Sequence, residues 1–240
     1  MKKIIFISLF LVSLYNLHAQ PVFISKAKIE FERKVNVWAG LPPSMADEFK
    51  KSVPQFKSDF FNYEFDDNKA IYQVGKESET KNMFGAPASD NTVFTDLGTG
   101  RYVAFKNVFE KSYLIEDSLR KATWKITGDI REIAGFKCRR ATTILFDSVF
   151  VVAFYTDEIM ISGGPESFNG LPGMILGLVI NRLHTTWYAT KVEVNSVNDK
   201  NITPPLKGKK ISNAQLSEIL KDSFTMWGGF AARNIWAIMI

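Results

Sequence analysis

The sequence predicts a mainly β fold: a curved antiparallel sheet or partly open β-barrel with a C-terminal helix packed on it. Three observations carry this expectation. Short runs of alternating apolar and polar residues recur from Ala27 to Val194, turn residues punctuate them, and the clearest helical spacing comes only after Ser212. Strands first and a helix last is the order of a sheet with a helix layered on one face.

From Ala27 to Val37 the odd positions read Ala, Ile, Phe, Arg, Val, Val and the even ones Lys, Glu, Glu, Lys, Asn, a half-buried strand whose alternation breaks at Arg33. Pro42-Pro43 ends it, and Ser44 to Lys51 reads as a short helix stopped by Pro54. Phe61-Tyr63-Phe65 and Ala70 to Val74, joined by Asp66-Asp67-Asn68, form a hairpin. Lys76 to Gly100 is polar and turn-rich, with one short strand at Thr92 to Thr95. Further strands are expected at Arg101 to Lys106, Phe109 to Ile115, Thr123 to Thr127, Asp129 to Ile133, Lys137 to Leu145, Val149 to Thr156, Ile175 to Ile180 and Thr185 to Val194. Ser212 and Gln215 have capping-box spacing, and Leu216, Ile219, Leu220 and Phe224 follow at helical intervals, so a helix spans about Asn213 to Ser223. The tail from Phe224 to Ile240 holds Trp227, Phe230, Ile235, Trp236 and Ile238 with one charge, Arg233. It reads either as a last core element or as a partner-docking segment.

Met1-Lys2-Lys3, an apolar run from Ile4 to Leu14, and Leu17-His18-Ala19 have the order of an export signal cut after Ala19. The run is too short for a membrane span, and no later segment supplies about 20 apolar residues in a row. The expected organisation is therefore a signal peptide at 1–19, an antiparallel β domain at 20–205, and a helix and apolar tail at 206–240 packed on the same domain. Removing Lys2 and Lys3 from the 30 basic residues leaves 28 against 25 acidic ones, without long runs, which argues against nucleic acid as partner. Cys138 is the single cysteine, so no internal disulfide staples the fold.

Gly163, Gly164, Pro165, Phe168, Gly170, Leu171, Pro172, Gly173 and Met174 concentrate backbone-controlling residues between two apolar runs. Pro172 fixes φ and Gly173 permits positive φ, which predicts a type II turn over Leu171 to Met174 with Phe168 plugging the core. The segment reads either as a rigid corner or as a binding loop.

The hexapeptide from Gly170 to Ile175 resembles the signature of the GLPGLI family, exported envelope proteins of Bacteroidetes-type bacteria. Trp124-Lys125-Ile126, Ile133 to Thr142, Ala153 to Ile159 and Gly163 to Phe168 fall in that family's order. Met174 stands where the family has Leu, and Phe154 where it has Trp. The resemblance implies an envelope protein without a defined activity. At fold level the expected sheet also resembles the half-barrel of periplasmic lipoprotein-carrier proteins.

Chemistry-bearing residues are sparse. Once the leader is removed, His184 is the one histidine, so a histidine-rich metal site is excluded, and no cofactor, metal or catalytic set is expected. Cys138 alternates with Phe136 and reads as a packing thiol. Asp157-Glu158 ends a strand, and its side chains point to opposite faces. The expectation is a periplasmic, non-enzymatic binding or accessory module for an outer-membrane protein or lipid-like, apolar ligand. Its alternatives are a structural subunit of an outer-membrane assembly docking through Trp227, Phe230, Ile235 and Trp236, and a hydrolase using His184 or Asp157.

Overall fold

A computed structural model describes residues 24–40, 43–76, 88–197, 199–225 and 229–240. The expected leader and residues 77–87 of the polar stretch lie outside the described residues. Twelve strands form one sheet: β1 (Lys26–Asn36), β2 (Phe56–Asp66), β3 (Lys69–Lys76), β4 (Thr92–Asp96), β5 (Arg101–Val108), β6 (Lys111–Ser118), β7 (Lys125–Ile133), β8 (Phe136–Leu145), β9 (Val149–Thr156), β10 (Met174–Ile180), β11 (Thr185–Val194) and β12 (Lys209–Ile211). Their order is β12-β6-β5-β4-β3-β2-β1-β11-β10-β9-β8-β7, so the sheet ends in two edges and is not closed. All neighbours are antiparallel except β12, which runs parallel to β6. Three helices accompany it among the described residues: α1 (Pro43–Ser52), α2 (Asn213–Ser223) and the C-terminal α3 (Gly229–Met239).

Alternation sets which face is filled. In β1, β2 and β5 every second side chain is buried, and Phe31, Phe61, Phe65 and Tyr63 are at most 1% exposed. One row of cross-strand partners, Asp59, Arg33, Trp187, Leu178, Ala153 and Ala141, runs over six strands on this inner face. The Trp187 indole N–H donates to the Tyr72 hydroxyl at 3.2 Å, joining strands three places apart across the interior. The sheet therefore curls around its own aromatic core, stabilised largely by apolar burial.

The Ser212 hydroxyl accepts from Gln215 N–H while the Gln215 side chain accepts from Ser212 N–H, so α2 begins with the expected capping box. Leu216, Leu220 and Phe224 are buried on the sheet side. The described part of the tail lies against the domain. Ile238 and Ile240 of and after α3 are buried, and Ile235 and Trp236 pack partly against the core. Three cations hold α3: Lys106 Nζ donates to the Ile238 carbonyl at 2.8 Å, Arg120 to that of Met239 at 2.9 Å, and Arg182 sits 5.3 Å over the Trp236 ring. Positive charge at a helix C-terminus offsets its unpaired carbonyls. Trp227 lies outside the described residues, as does the Phe230 side chain. Among the described residues no helix is long and apolar enough to cross a membrane.

Two local expectations change. Thr123 to Thr127 and Asp129 to Ile133 are one strand, β7, whose register with β8 shifts between Ile126 and Ile130, around Gly128. Phe109 lies outside β6, in the preceding turn at φ 56°, so β6 starts later than its apolar pattern suggests.

Candidate functional site

The loop between β9 and β10 folds back over the inner face. Its corner is tighter than a type II turn: Gly173 N–H donates to the Leu171 carbonyl at 2.8 Å, closing a three-residue γ-turn around Pro172. Gly173 has φ 151°, far from the value near +80° that a type II turn requires. Met174 N–H donates to Ile159 O at 2.9 Å and Ile175 N–H to Gly163 O at 2.8 Å, which zips the loop to the start of β10. A side chain at Gly163 would overlap the Tyr63 hydroxyl, and one at Gly164 would sit 2.7 Å from Ile175 Cβ. Within the expected binding loop Phe168, Leu171 and Met174 are buried, whereas Gly170 and Pro172 are exposed.

The loop has two working sides. Inward, Pro165 and Glu166 enter a polar cluster. Glu166 is 2% exposed, holds φ 56°, and accepts from Asn91 Nδ2 at 3.1 Å. Arg33 donates to Asp59 at 2.9 Å and to Ser89 O at 2.7 Å, and Lys57 pairs with Asp59 at 2.9 Å. Burial alone would raise the Asp59 carboxyl, but the hydrogen bonds and charges of Arg33 and Lys57 outweigh it and hold it below the usual carboxylate value. Burial pushes the Lys106 ammonium down to about 8 despite the nearby Glu166 charge. Among the buried side-chain atoms of the described residues, Arg33 Nε and Asn91 Oδ1 have no hydrogen-bond partner.

Outward, the same loop walls a shallow cleft of about 10 Å³, room for about one water, lined by Arg120, Ala122, Leu145, Ser167, Phe168 and Asn169. Its far wall is the connection from β6 to β7. The Trp124 indole N–H donates to Asn169 O at 2.9 Å, Asn169 Nδ2 donates to Ser167 O at 2.8 Å and Arg120 O at 3.4 Å, and Gly170 N–H donates to Ser162 Oγ at 2.8 Å. The Arg120 guanidinium stacks 4.8 Å over the Phe146 ring at the rim. Arg120 also donates to the Met239 carbonyl, so the guanidinium and the Asn169 amide N–H groups are bonded within the protein and fix the walls of the cleft. None of the six lining residues is an acid, a histidine or a cysteine, so the lining itself offers no acid–base pair.

Other candidates are scattered. Cys138 is fully buried on β8, its thiol donating to Phe136 O at 3.6 Å and pushed up to about 12 by burial. His184 caps the turn between β10 and β11, where burial and then the Arg233 charge lower its imidazole, and it shares none of the Cys138 contacts. Asp157 pairs with Arg139 at 3.4 Å, and Glu158 accepts from Lys137 N–H at 3.3 Å, so the two acids act apart. Phe154 packs with Tyr188 under the Arg131 guanidinium, 4.6 Å above its ring. Among the described residues no three His, Cys, Asp or Glu side chains gather as a metal site.

Residues 67–216, which include both walls of the cleft, match the family model described as N-glycanase peptide, N-terminal domain. The chain belongs to that family. Two solved structures of PNGF-II, in space groups C2 and P21, share 14% and 15% identity with TM-scores of 0.53 and 0.52. Each match covers 81% of this chain but only 32% and 33% of PNGF-II, so the chain spans about a third of that protein's length. That likeness shows the fold alone. No curated protein matches the sequence.

The family assignment corrects two expectations. The resemblance to the GLPGLI family is replaced by membership of the N-glycanase N-terminal domain family: a short proline-glycine hexapeptide specifies a corner, which different families can share. The non-enzymatic envelope module for an outer-membrane partner or apolar ligand gives way to a glycanase-like architecture, which of its two alternatives favours the hydrolase over the structural subunit. The physical reasons agree. The aromatic inner face is packed core and not an open acyl-binding bowl, the described part of the tail lies against the domain, and His184 and Asp157 are not assembled with other catalytic groups.

Proposed function

We propose that this chain works in the enzymatic release of N-linked glycans, and that the surface around the shallow cleft between residues 120–124 and 167–170 contacts the saccharide next to the peptide. Family membership across residues 67–216 is the observation that carries the reading, because that span contains both cleft walls. The lining supports it: the Ser167 hydroxyl and the Asn169 side-chain oxygen can meet hydroxyl and acetamido groups, while Arg120 and the Asn169 amide N–H groups hold the walls in place. Since no acid–base pair lines the cleft, its contribution is to hold and orient the substrate, and bond cleavage falls to groups outside it. Export through residues 1–19 belongs to the same proposal, since secreted glycoproteins are met outside the cytoplasm.

Isothermal titration with a peptide whose Asn carries N,N′-diacetylchitobiose, against the same peptide without sugar, tests the reading. Binding that needs the sugar and weakens about tenfold in Asn169→Ala is expected, one lost hydrogen-bonding group with its partner left unpaired being worth about that much. Equal affinity for the two peptides would refute it.

A further inference from the structure

Residues 165–168 carry the chain from the inner face to the cleft. Phe168 N–H donates to the Pro165 carbonyl at 3.2 Å, closing a four-residue turn with Glu166 and Ser167 at its centre. Glu166 has φ 56° while Ser167 is not among the residues of positive φ, the sign pattern of a II′ turn, whose first central position belongs to glycine. A β-carbon there strains the backbone. The same residue also buries its carboxyl, an unfavourable placement unless hydrogen bonds and charge answer it. They do: Asn91 Nδ2 donates at 3.1 Å, and the Glu166 charge favours the ammonium of Lys106, which burial disfavours and whose Nζ donates to Ile238 O at 2.8 Å. A strained turn and a buried acid at one position mark a side chain kept for what it holds. The residues that follow it, Ser167, Phe168 and Asn169, are the cleft wall.

We propose that Glu166 is the positioning residue of the cleft: its carboxylate, anchored inward by Asn91 and Lys106, fixes the turn that presents the Ser167 hydroxyl and the Asn169 side-chain oxygen to the saccharide. The inference rests on the reading of the cleft surface as a saccharide contact. Glu166 itself is buried and touches no substrate, so it acts through its neighbours. From outside, the Trp124 indole N–H holds Asn169 O and Asn169 Nδ2 holds Ser167 O, which clamps the wall to residues 120–124. From inside, Phe168 packs against the core, but apolar packing is non-directional, and Glu166 supplies the directed bond. Releasing that inner bond lets the turn relax, and both polar groups lose their direction together.

The test is a double-mutant cycle on the full chain, read by isothermal titration with the chitobiosyl peptide and with the same peptide without sugar. Glu166→Gly suits the turn but removes the anchor, and is expected to weaken sugar-dependent binding about tenfold. Glu166→Gln keeps an acceptor for Asn91 and should restore affinity to within about threefold of wild type. Asn169→Ala should add almost nothing in the Glu166→Gly background, because the anchor acts through that residue. The indole N–H resonance of Trp124, assigned by Trp124→Phe, reads the wall without ligand: it should shift in Glu166→Gly and return in Glu166→Gln. Where circular dichroism shows the Gly variant unfolded, Glu166→Asn, which tolerates positive φ and is one methylene shorter, takes its place with the same expectations. Additive losses, equal losses in the Gly and Gln variants, or undiminished affinity with an unmoved Trp124 signal would make Glu166 a fold-stabilising group and overturn the proposal. A wild type that binds both peptides equally refutes the cleft reading itself, and the proposal falls with it whatever the Trp124 signal does.

Discussion

Replacing Gly173 by alanine probes the corner on which the loop depends. A methyl there would overlap the Thr156 carbonyl oxygen and sit 2.8 Å from its carbon and 3.1 Å from Asp157 Cα. Those are backbone atoms, and Thr156 is the cross-strand partner of Met174, so relief requires β9 and β10 to part. The φ of 151° adds strain for any residue with a β-carbon. Overpacking costs about 1–3 kcal/mol, the strained φ about 1–2, and weakening of the Met174 N–H to Ile159 O bond about 1, a total near 3–6 kcal/mol. For a domain of this size the melting temperature should fall by roughly 10 °C. Gly170→Ala is the control: its φ is 91°, yet the nearest atom to an added methyl is Trp124 Nε1 at 3.5 Å, so the loss should be about 1 kcal/mol. Calorimetry on both variants decides the matter. Equal melting temperatures for Gly173→Ala, Gly170→Ala and wild type would refute the reasoning.

Two further predictions concern the buried charges. Asp59→Asn leaves Arg33 and Lys57 without their anion and should cost about 3 kcal/mol at pH 7 in urea unfolding. Because the Asp59 carboxyl is held below its ordinary value, its stabilisation is present above about pH 4 and is lost as pH falls through its lowered value; the variant should lack that share of acid sensitivity. Lys106 is shifted the other way, so between pH 8 and its ordinary value of 10.5 the unfolded chain binds the extra proton and folding gains stability as pH rises. Comparing wild type with Lys106→Met from pH 7 to 9 should show that the variant lacks this upward contribution, worth on the order of 3 kcal/mol when complete. Parallel stability curves for the two proteins would contradict the account.

Regular alternation and capping were legible in the residues. The bounds of Thr185–Val194 and Asn213–Ser223 match their patterns, and in β11 burial alternates as far as Ala189, where the register with β1 shifts. β12 was not, since Lys209-Lys210-Ile211 holds a single apolar residue and exists only by pairing with β6. The break at Arg33 was the one visible trace of the buried polar cluster. Asp59 and Lys106 occupy inward positions among Phe61, Tyr63, Tyr102 and Ala104, and the same parity argument reaches them once the strands are aligned. The cleft was hidden for another reason. Arg120, Ala122 and Leu145 meet Ser167 and Asn169 only through tertiary packing, and only the Trp124 and Phe168 to Asn169 stretches stood out as sequence motifs.

The central claim is that this chain serves the removal of N-linked glycans. Its most direct measurement is mass spectrometry of a denatured N-glycoprotein incubated with the protein purified from its own cells. The account predicts free glycan in the supernatant, diminished when the cleft carries Asn169→Ala; a glycoprotein left at full mass, and bound no better with its sugar than without, would contradict it.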